Sequence, residues 1–309
     1  MTSHNTFSSS SKMSSPTSPA ILVENLTFSY GGATILSNLS LQLPPRARCL
    51  LVGSNGAGST PNHNSNHNSN LHLIETTLLR ILAGKRLVKN PVRVLGKDVY
   101  NDTPAGLTYL GPEWAANPVV RRDVTVSSLL KSMNAEKYPE RTQKLMDLLD
   151  INDQWHMHEI SDGERRRVQM LLGLVEPFRA LLLDEVTVDL DVLVRRNLLE
   201  FLRGESEQGA TMMYATHIFD GLGSWPTHVA HVRRGSIVRL VEMSTFPELE
   251  AAKAAVVFDS PLLQVIERWL REDRELQRAA KQEPKQDTVW DRLSDMKRYG
   301  DKYYDYWNQ

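Results

Sequence analysis

Cysteine is almost missing: Cys49 is the single thiol among 309 residues. No disulfide framework can form within the chain, which fits a reducing compartment and predicts a cytoplasmic or nuclear setting. Long apolar runs are missing too. No stretch approaches the roughly 18 consecutive apolar residues that a membrane-spanning helix needs. Nor is there an excess of charge of one sign. Lys and Arg number 36 against 37 Asp and Glu, so the net charge of −1 leaves no electrostatic footprint for direct nucleic-acid or anionic-membrane binding. Residues 1–19 lack the apolar core of a secretory signal and are rich in Ser and Thr, so they read as a disordered tail.

A further absence is local and bears on chemistry. Cys49 to Val52 reads as a buried strand, and Gly53-Ser54-Asn55-Gly56-Ala57-Gly58 follows it directly. That is the opening of a phosphate-binding loop, in which glycines let backbone N–H groups wrap phosphates at a helix N-terminus. The pattern next requires a lysine to neutralise the phosphates and a Ser or Thr hydroxyl for Mg²⁺. Here Ser59-Thr60-Pro61 and a low-complexity Asn/His/Ser run stand instead, and the expected helix resumes at Thr76-Thr77-Leu78-Leu79. Joining Gly58 to Thr76 through one lysine completes the motif.

Residues 59–75 have the form of a retained intron. A lysine codon AAG split after its first base by a GT…AG intron reads Ser at the start and Glu at the end, and Ser59 and Glu75 occupy those places. The 17 codons span 51 nucleotides, and removing the three of the lysine codon leaves 48, which keeps the frame. A true surface insertion and a loop that has lost its ATPase role are the alternatives. His63, His67 and His72 have spacing suggestive of a metal set, but within this repeat they read as low complexity.

Around this stretch the pattern is α/β. Ile21 to Phe28 and Ile35 to Leu43 read as antiparallel strands about a turn at Tyr30-Gly31-Gly32, and Val92–Leu95 and Leu107–Leu110 as short strands. Val126 to about Trp155 has helical periodicity. Ser161-Asp162-Gly163-Glu164 opens a helix running through Leu174. Ala180 to Leu183 is a buried strand ending in Asp184-Glu185, and Val188-Asp189-Leu190-Asp191 begins another helix, reaching about Leu202. Thr211–Ala215 is a strand ending in Thr216-His217, with two more strands about Arg233-Arg234-Gly235. Alternation of strands and helices predicts a parallel sheet. Two adjacent carboxylates at the end of a buried strand are costly unless a cation or proton occupies them.

In this order, over about residues 20–245, these pieces resemble the nucleotide-binding domain of the ATP-binding cassette (ABC) superfamily. The resemblance implies an α/β P-loop NTPase fold of the ABC type, a mixed sheet with an antiparallel β subdomain and a helical subdomain, binding ATP and Mg²⁺. It implies that Tyr30 stacks on adenine and that Gly53, Ser54, Asn55, Gly56, Ala57, Gly58, Thr76 and Thr77 hold the phosphates. Thr76, Asp184 and Glu113 would be ligands of Mg²⁺, with Glu113 standing where the family usually has Gln. Glu185 would polarise the attacking water and His217 would sense the γ-phosphate. Ser161, Asp162, Gly163 and Glu164 would face the γ-phosphate of a second ABC domain in a homodimer, although two acidic side chains there are unusual. Asp191 would touch the partner subunit, or serve as a helix N-terminal charge.

Tyr109 to Trp114, Ile160 to Gln169 and Tyr299 to Trp307 resemble the soluble, non-transporter ABC ATPases associated with the Ccr–Not complex of yeasts, and their plant relatives. That implies a regulatory ATPase in transcription or mRNA control. The ATPase subunit of a transporter with separate membrane subunits, and a nucleotide-incompetent product, are the other readings. Residues 246–309 read as a helical extension: Ser260 caps a helix with Pro261 at its first position, and Leu262, Ile266, Trp269 and Leu270 form a stripe. A second stripe is expected at Val289, Trp290, Leu293 and Met296.

Overall fold

The computed structural model describes residues 18–53, 73–112, 121–219, 221–254 and 260–282. The chain divides into two compact units, Met1–Glu267 and Arg268–Gln309. Among the described residues of the first, ten strands form two sheets.

The smaller sheet is antiparallel and holds β1 (Ile21–Tyr30), β2 (Ala33–Leu43), β4 (Val92–Val94) and β5 (Lys97–Asp98) in the order β2-β1-β4-β5. Apolar residues on its inner face, Ile21, Val23, Leu26, Leu36, Leu39 and Leu41, are buried, as a half-covered antiparallel sheet requires. The larger sheet has six strands in the order β10-β9-β3-β8-β7-β6. Its members are β3 (Arg48–Gly53), β6 (Leu107–Leu110), β7 (Ala180–Asp184), β8 (Thr211–Ala215), β9 (His228–Arg233) and β10 (Ser236–Glu242). β6, β7, β8, β3 and β9 are parallel, and only β10 runs against its neighbour. All five residues of both β7 and β8 are buried, which is why they appear in the sequence as unbroken apolar runs.

Helix α1 (Leu73–Leu82) follows the β3 side of the sheet in sequence and begins three residues earlier than the sequence predicts. The reason is Ile74, which is buried in the same apolar cluster as Leu78 and Leu82 and so extends the helical stripe backward. The end of the inserted stretch therefore belongs to the core.

The helical region expected as one segment is three pieces: α2 (Val126–Ser132), a 3₁₀ turn (Ala135–Lys137) and α3 (Pro139–Leu149). Asn134 in the left-handed region (φ 52°) stops the first, and Pro139, in the first turn of α3, starts the last. Helix α4 spans Asp162–Leu174 as expected. Helix α5 (Val192–Glu207) begins later than Val188 because Asp191 is its N-cap, accepting from the N–H groups of Leu193 and Val194 at 2.9 Å each. Short α6 (Pro247–Ala254) and long α7 (Pro261–Gln282) follow. Helix α7 begins at the expected proline, with Leu262 and Ile266 of the anticipated stripe buried. The second expected stripe, from Val289, lies outside the described residues.

The two sheets meet where the β9–β10 turn touches β2. Ser37 N–H donates to Gly235 C=O (3.0 Å), and a Cβ at Gly235, whose φ is +80°, would run into the Ile35 carbonyl. Glycine is needed there twice, for the left-handed backbone and for the approach. Gly235→Ala is expected to destabilise the fold by about 1–3 kcal/mol, read as a shift of the urea midpoint without a change of slope. An unchanged midpoint would show that this junction is dispensable.

Candidate functional site

Strand β3 delivers Gly53 and strand β7 delivers Asp184 to the same end of the parallel sheet, the carboxyl end at which α/β sheets place their ligands. Helix α1 supplies the third component. The Thr76 hydroxyl donates to Asp184 Oδ1 (3.0 Å), and both residues are buried. A hydroxyl and a carboxylate held together at a helix start are the oxygen donors a hard cation such as Mg²⁺ takes. Thr77 is buried next to them.

Tyr109, at the end of β6, donates from its hydroxyl to Asp184 Oδ2 (3.0 Å). Burial and the neighbouring Asp184 charge hold that hydroxyl well above its usual ionisation range, so it remains a donor. Sequence reading did not select Tyr109. Its signals were its place near the end of a strand and at the head of the Tyr109–Trp114 stretch, but its partner is 75 residues away.

Glu185 follows Asp184 with a left-handed backbone, φ +51°. A non-glycine residue there carries local strain of order 1 kcal/mol and turns the chain out of the sheet. Its side chain meets the loop after β8: Thr216 donates to Oε2 (3.4 Å), and His217 Nε2 lies 3.5 Å from Oε1. Burial foremost, then the Asp184 charge, pushes the Glu185 carboxyl up to about 7. A carboxylate with that proton affinity beside a histidine suits a base that orients or accepts a proton from water. The structure thus brings together Asp184, Glu185, His217, Thr76 and Gly53.

One residue departs from the pattern. Glu75, immediately before Thr76, occupies the position where the phosphate-loop pattern has lysine. Its carboxyl is buried, and a Cβ on Gly53 would collide with Glu75 Oε1. Burial, with Asp184 adding, pushes Glu75 up to about 7. The cation donors fit Mg²⁺, but beside Gly53 stands a carboxyl where the phosphate-loop pattern has a positive charge.

Tyr30 sits at the end of β1, partly exposed, edge-on to Phe28 at 5.2 Å. Arg86, just beyond α1, lies over its ring with Cζ 5.3 Å from the centroid. Ser54, Asn55, Gly56, Ala57, Gly58 and Glu113 lie outside the described residues.

The second constellation is at the N-terminus of α4. Ser161 is the N-cap, and with Glu164 it forms a reciprocal capping box: Glu164 N–H donates to Ser161 Oγ (3.3 Å), and Ser161 N–H donates to Glu164 Oε2 (2.8 Å). The bond from the Ser161 hydroxyl first, and then that N–H, holds the Glu164 carboxyl below its ordinary range. Asp162 pairs with Arg165. Gly163 is close to the Asp189 carbonyl, which a Cβ would approach to 3.1 Å. Arg166 Nε lies 3.6 Å from Asp189 Oδ2, and Arg167 donates to Asp191 Oδ2 (2.8 Å) and Asp150 Oδ2 (2.9 Å). Gln169 donates to the Gly111 carbonyl (2.8 Å). Helix α4, the signature helix that Ser161–Glu164 open, is thereby tied to the loop before α5 and to the chain after β6.

A parallel sheet with a phosphate-loop remnant, paired carboxylates at a strand end and a capped signature helix defines a nucleotide-binding domain. The chain matches no family model. It is 41% identical over 289 residues to ABC transporter I family member 21 of Arabidopsis thaliana, covering 88% of this chain and 93% of that protein. It is 41% identical to CCR4-associated factor 16 of Saccharomyces cerevisiae over 239 residues, covering 71% and 77%. Its fold is similar to the ATP-binding subunit of an ABC transporter at TM-score 0.63, with 16% identity over 82% of this chain and 99% of the other. The chain belongs to the ABC ATPase family, and its fold is that of an ABC ATP-binding domain. Among the described residues no helix is long and apolar enough to cross a membrane.

A pH dependence follows from Glu75. Its folded value of about 7 exceeds the ordinary 4.5, so the native state binds more protons than the unfolded chain between those values. The stability it contributes is complete below about pH 4.5 and is lost as pH rises through about 7. Glu75→Gln is expected to gain on the parent by on the order of 2–3 kcal/mol at pH 8 relative to pH 4. Urea unfolding at both pH values measures it, and an equal difference at the two would refute a buried Glu75.

Proposed function

We propose that this chain is the ATPase unit of a regulatory, non-transporter ABC protein, and that in its lysine-bearing form it binds and hydrolyses ATP with Mg²⁺ between two copies. The observation that carries the reading is the Thr76–Asp184 hydrogen bond, with Glu185 and His217 beside it. Thr76 and Asp184 would hold the cation, which when bound offsets phosphate charge. Glu185 would orient the attacking water and take its proton, and His217 would steady Glu185. The same arrangement with Glu75 at the lysine position supports the view that the chain as written handles nucleotide poorly.

Loss of one charge-assisted phosphate contact weakens binding by roughly 1.5–3 kcal/mol, about one to two decades. Hydrolysis suffers more, because the transferring phosphoryl group needs that cation in the transition state. Side-by-side ATP titration and turnover of the written chain, and of a chain with residues 59–75 replaced by one lysine, are expected to differ by at least that much. Equal ATPase rates would sink both the intron reading and the role of the missing lysine.

Three exposed apolar side chains flank Asp191: Val188 (51%), Val192 (75%) and Leu193 (71%). Apolar exposure next to a polar loop is the composition of an interface core, which supports a face for a second copy, with Ser161 and Gly163 opposite the partner's γ-phosphate. In the lysine-restored chain, Glu185→Gln is expected to slow hydrolysis by about 10²–10⁴ and to trap an ATP-dependent dimer in light scattering. A monomer at saturating ATP would overturn the homodimer. The regulatory assignment is supported by the likeness to a protein named for its association with CCR4.

A further inference from the structure

Away from the nucleotide site, the segment leading into α4 crosses the segment leading into α2 in a single antiparallel bridge, Thr125 opposite His156. Met157 N–H donates to Val124 C=O (2.9 Å), and Val126 N–H donates to Trp155 C=O (3.0 Å). Past the bridge both segments bend: Glu159 N–H donates to His156 C=O (3.0 Å), and Val124 N–H donates to Arg122 C=O (2.9 Å). Met157 is fully buried, while Asp123 and His158 are exposed and His156 is partly so.

The three side chains converge. Asp123 Oδ1 is 2.5 Å from His156 Nδ1 and 3.4 Å from His158 Nδ1. One ligand atom from each lies within 4.8 Å of the other two. We propose that Asp123, His156 and His158 form a surface site for one Zn²⁺-class divalent transition-metal ion, completed by solvent. Imidazole nitrogen with carboxylate oxygen and no thiolate is a donor set that suits zinc.

A hydrogen-bonded Asp–His pair is the simpler use of these residues, and it accounts for His156 alone. It does not account for a second imidazole turned toward the same carboxylate oxygen. The far nitrogen of that second ring, His158 Nε2, lies 3.5 Å from Glu159 Oε1. Carboxylates behind the non-coordinating nitrogen are what orient metal-binding histidines elsewhere. Glu159 is the positioning residue in this arrangement.

The site is joined to the signature helix. Arg165 donates to the carbonyls of Met157 (3.1 Å) and Ile160 (2.9 Å), and Ser161 follows directly as the N-cap. An ion that draws Asp123 onto the two histidines therefore fixes the turn that enters Ser161.

The test uses the full chain with His63→Ala, His67→Ala and His72→Ala, so that histidines of the inserted stretch do not compete. Calorimetric titration with Zn²⁺ is expected to show one equivalent, weakened at least about tenfold by adding Asp123→Asn or His156→Ala. Absence of saturable one-equivalent binding, or affinity unmoved by either change, overturns the site. A second readout needs neither added variant: zinc-edge X-ray absorption of the 1:1 complex. Scattering from two imidazoles is expected, and an all-oxygen shell overturns the proposal.

Discussion

The end of strand β7 imposes the constraint around which the rest of this structure is arranged. Asp184 is buried there, Glu185 follows on a left-handed residue, and Glu75 enters from α1. Three carboxyls cannot share a water-poor site with all charges intact unless protons or a cation balance them. Glu75 and Glu185 are accordingly pushed up to about 7. Thr76 and Tyr109 both spend their hydroxyls on Asp184, which gives that carboxylate two donors and keeps its two oxygens apart in role. Lysine at position 75 would add a cation in place of a carboxyl whose ionisation burial already opposes. The substitution at this one place thus alters electrostatics more than the length of the insertion alters topology.

The signature helix resolves a tension in its own sequence. Asp162 and Glu164 stand where an anion is expected, yet neither is a free negative charge. Glu164 is engaged by the Ser161 hydroxyl and N–H, and Asp162 is paired with Arg165. The consecutive arginines divide the remaining work by direction. Arg165 holds the preceding loop, Arg166 faces Asp189, and Arg167 bridges Asp150 and Asp191. Asp191 therefore serves both as helix cap and as a partner of Arg167, so the loop before α5 and the start of α4 are coupled electrostatically.

Much of the fold was legible because its signals are local. The apolar runs of β7 and β8 give their bounds directly, Pro261 marks the start of α7, and Ser161 with Glu164 spells a capping box. The division of the expected long helix into α2 and α3 was legible at Pro139 and only weakly at Asn134, since asparagine favours the left-handed region without requiring it. The candidate site was legible where residues are consecutive, as in Asp184-Glu185. It was not where partners come from distant segments: Tyr109 meets Asp184, Gln169 meets Gly111 and Arg86 meets Tyr30 only after folding. Glu75 had a signal, since it directly precedes Thr76, but its burial was unreadable because it depends on Gly53 having no side chain.

That contact explains why an ABC fold tolerates so large an interruption. The chain leaves the sheet at Gly53 and is back against it by Glu75, and Ile74 is already in the core. An excursion whose ends coincide adds closure entropy only logarithmically, about 0.6 kcal/mol for each doubling of length. The apolar stripe of Ile74, Leu78 and Leu82 is untouched by the detour and continues to fix α1 on the sheet. Packing therefore sees the interruption as small, whereas beside Gly53 a carboxyl takes the place that the phosphate-loop pattern gives to a cation. The fold depends here on buried apolar area, whereas the proposed activity depends on a single cation.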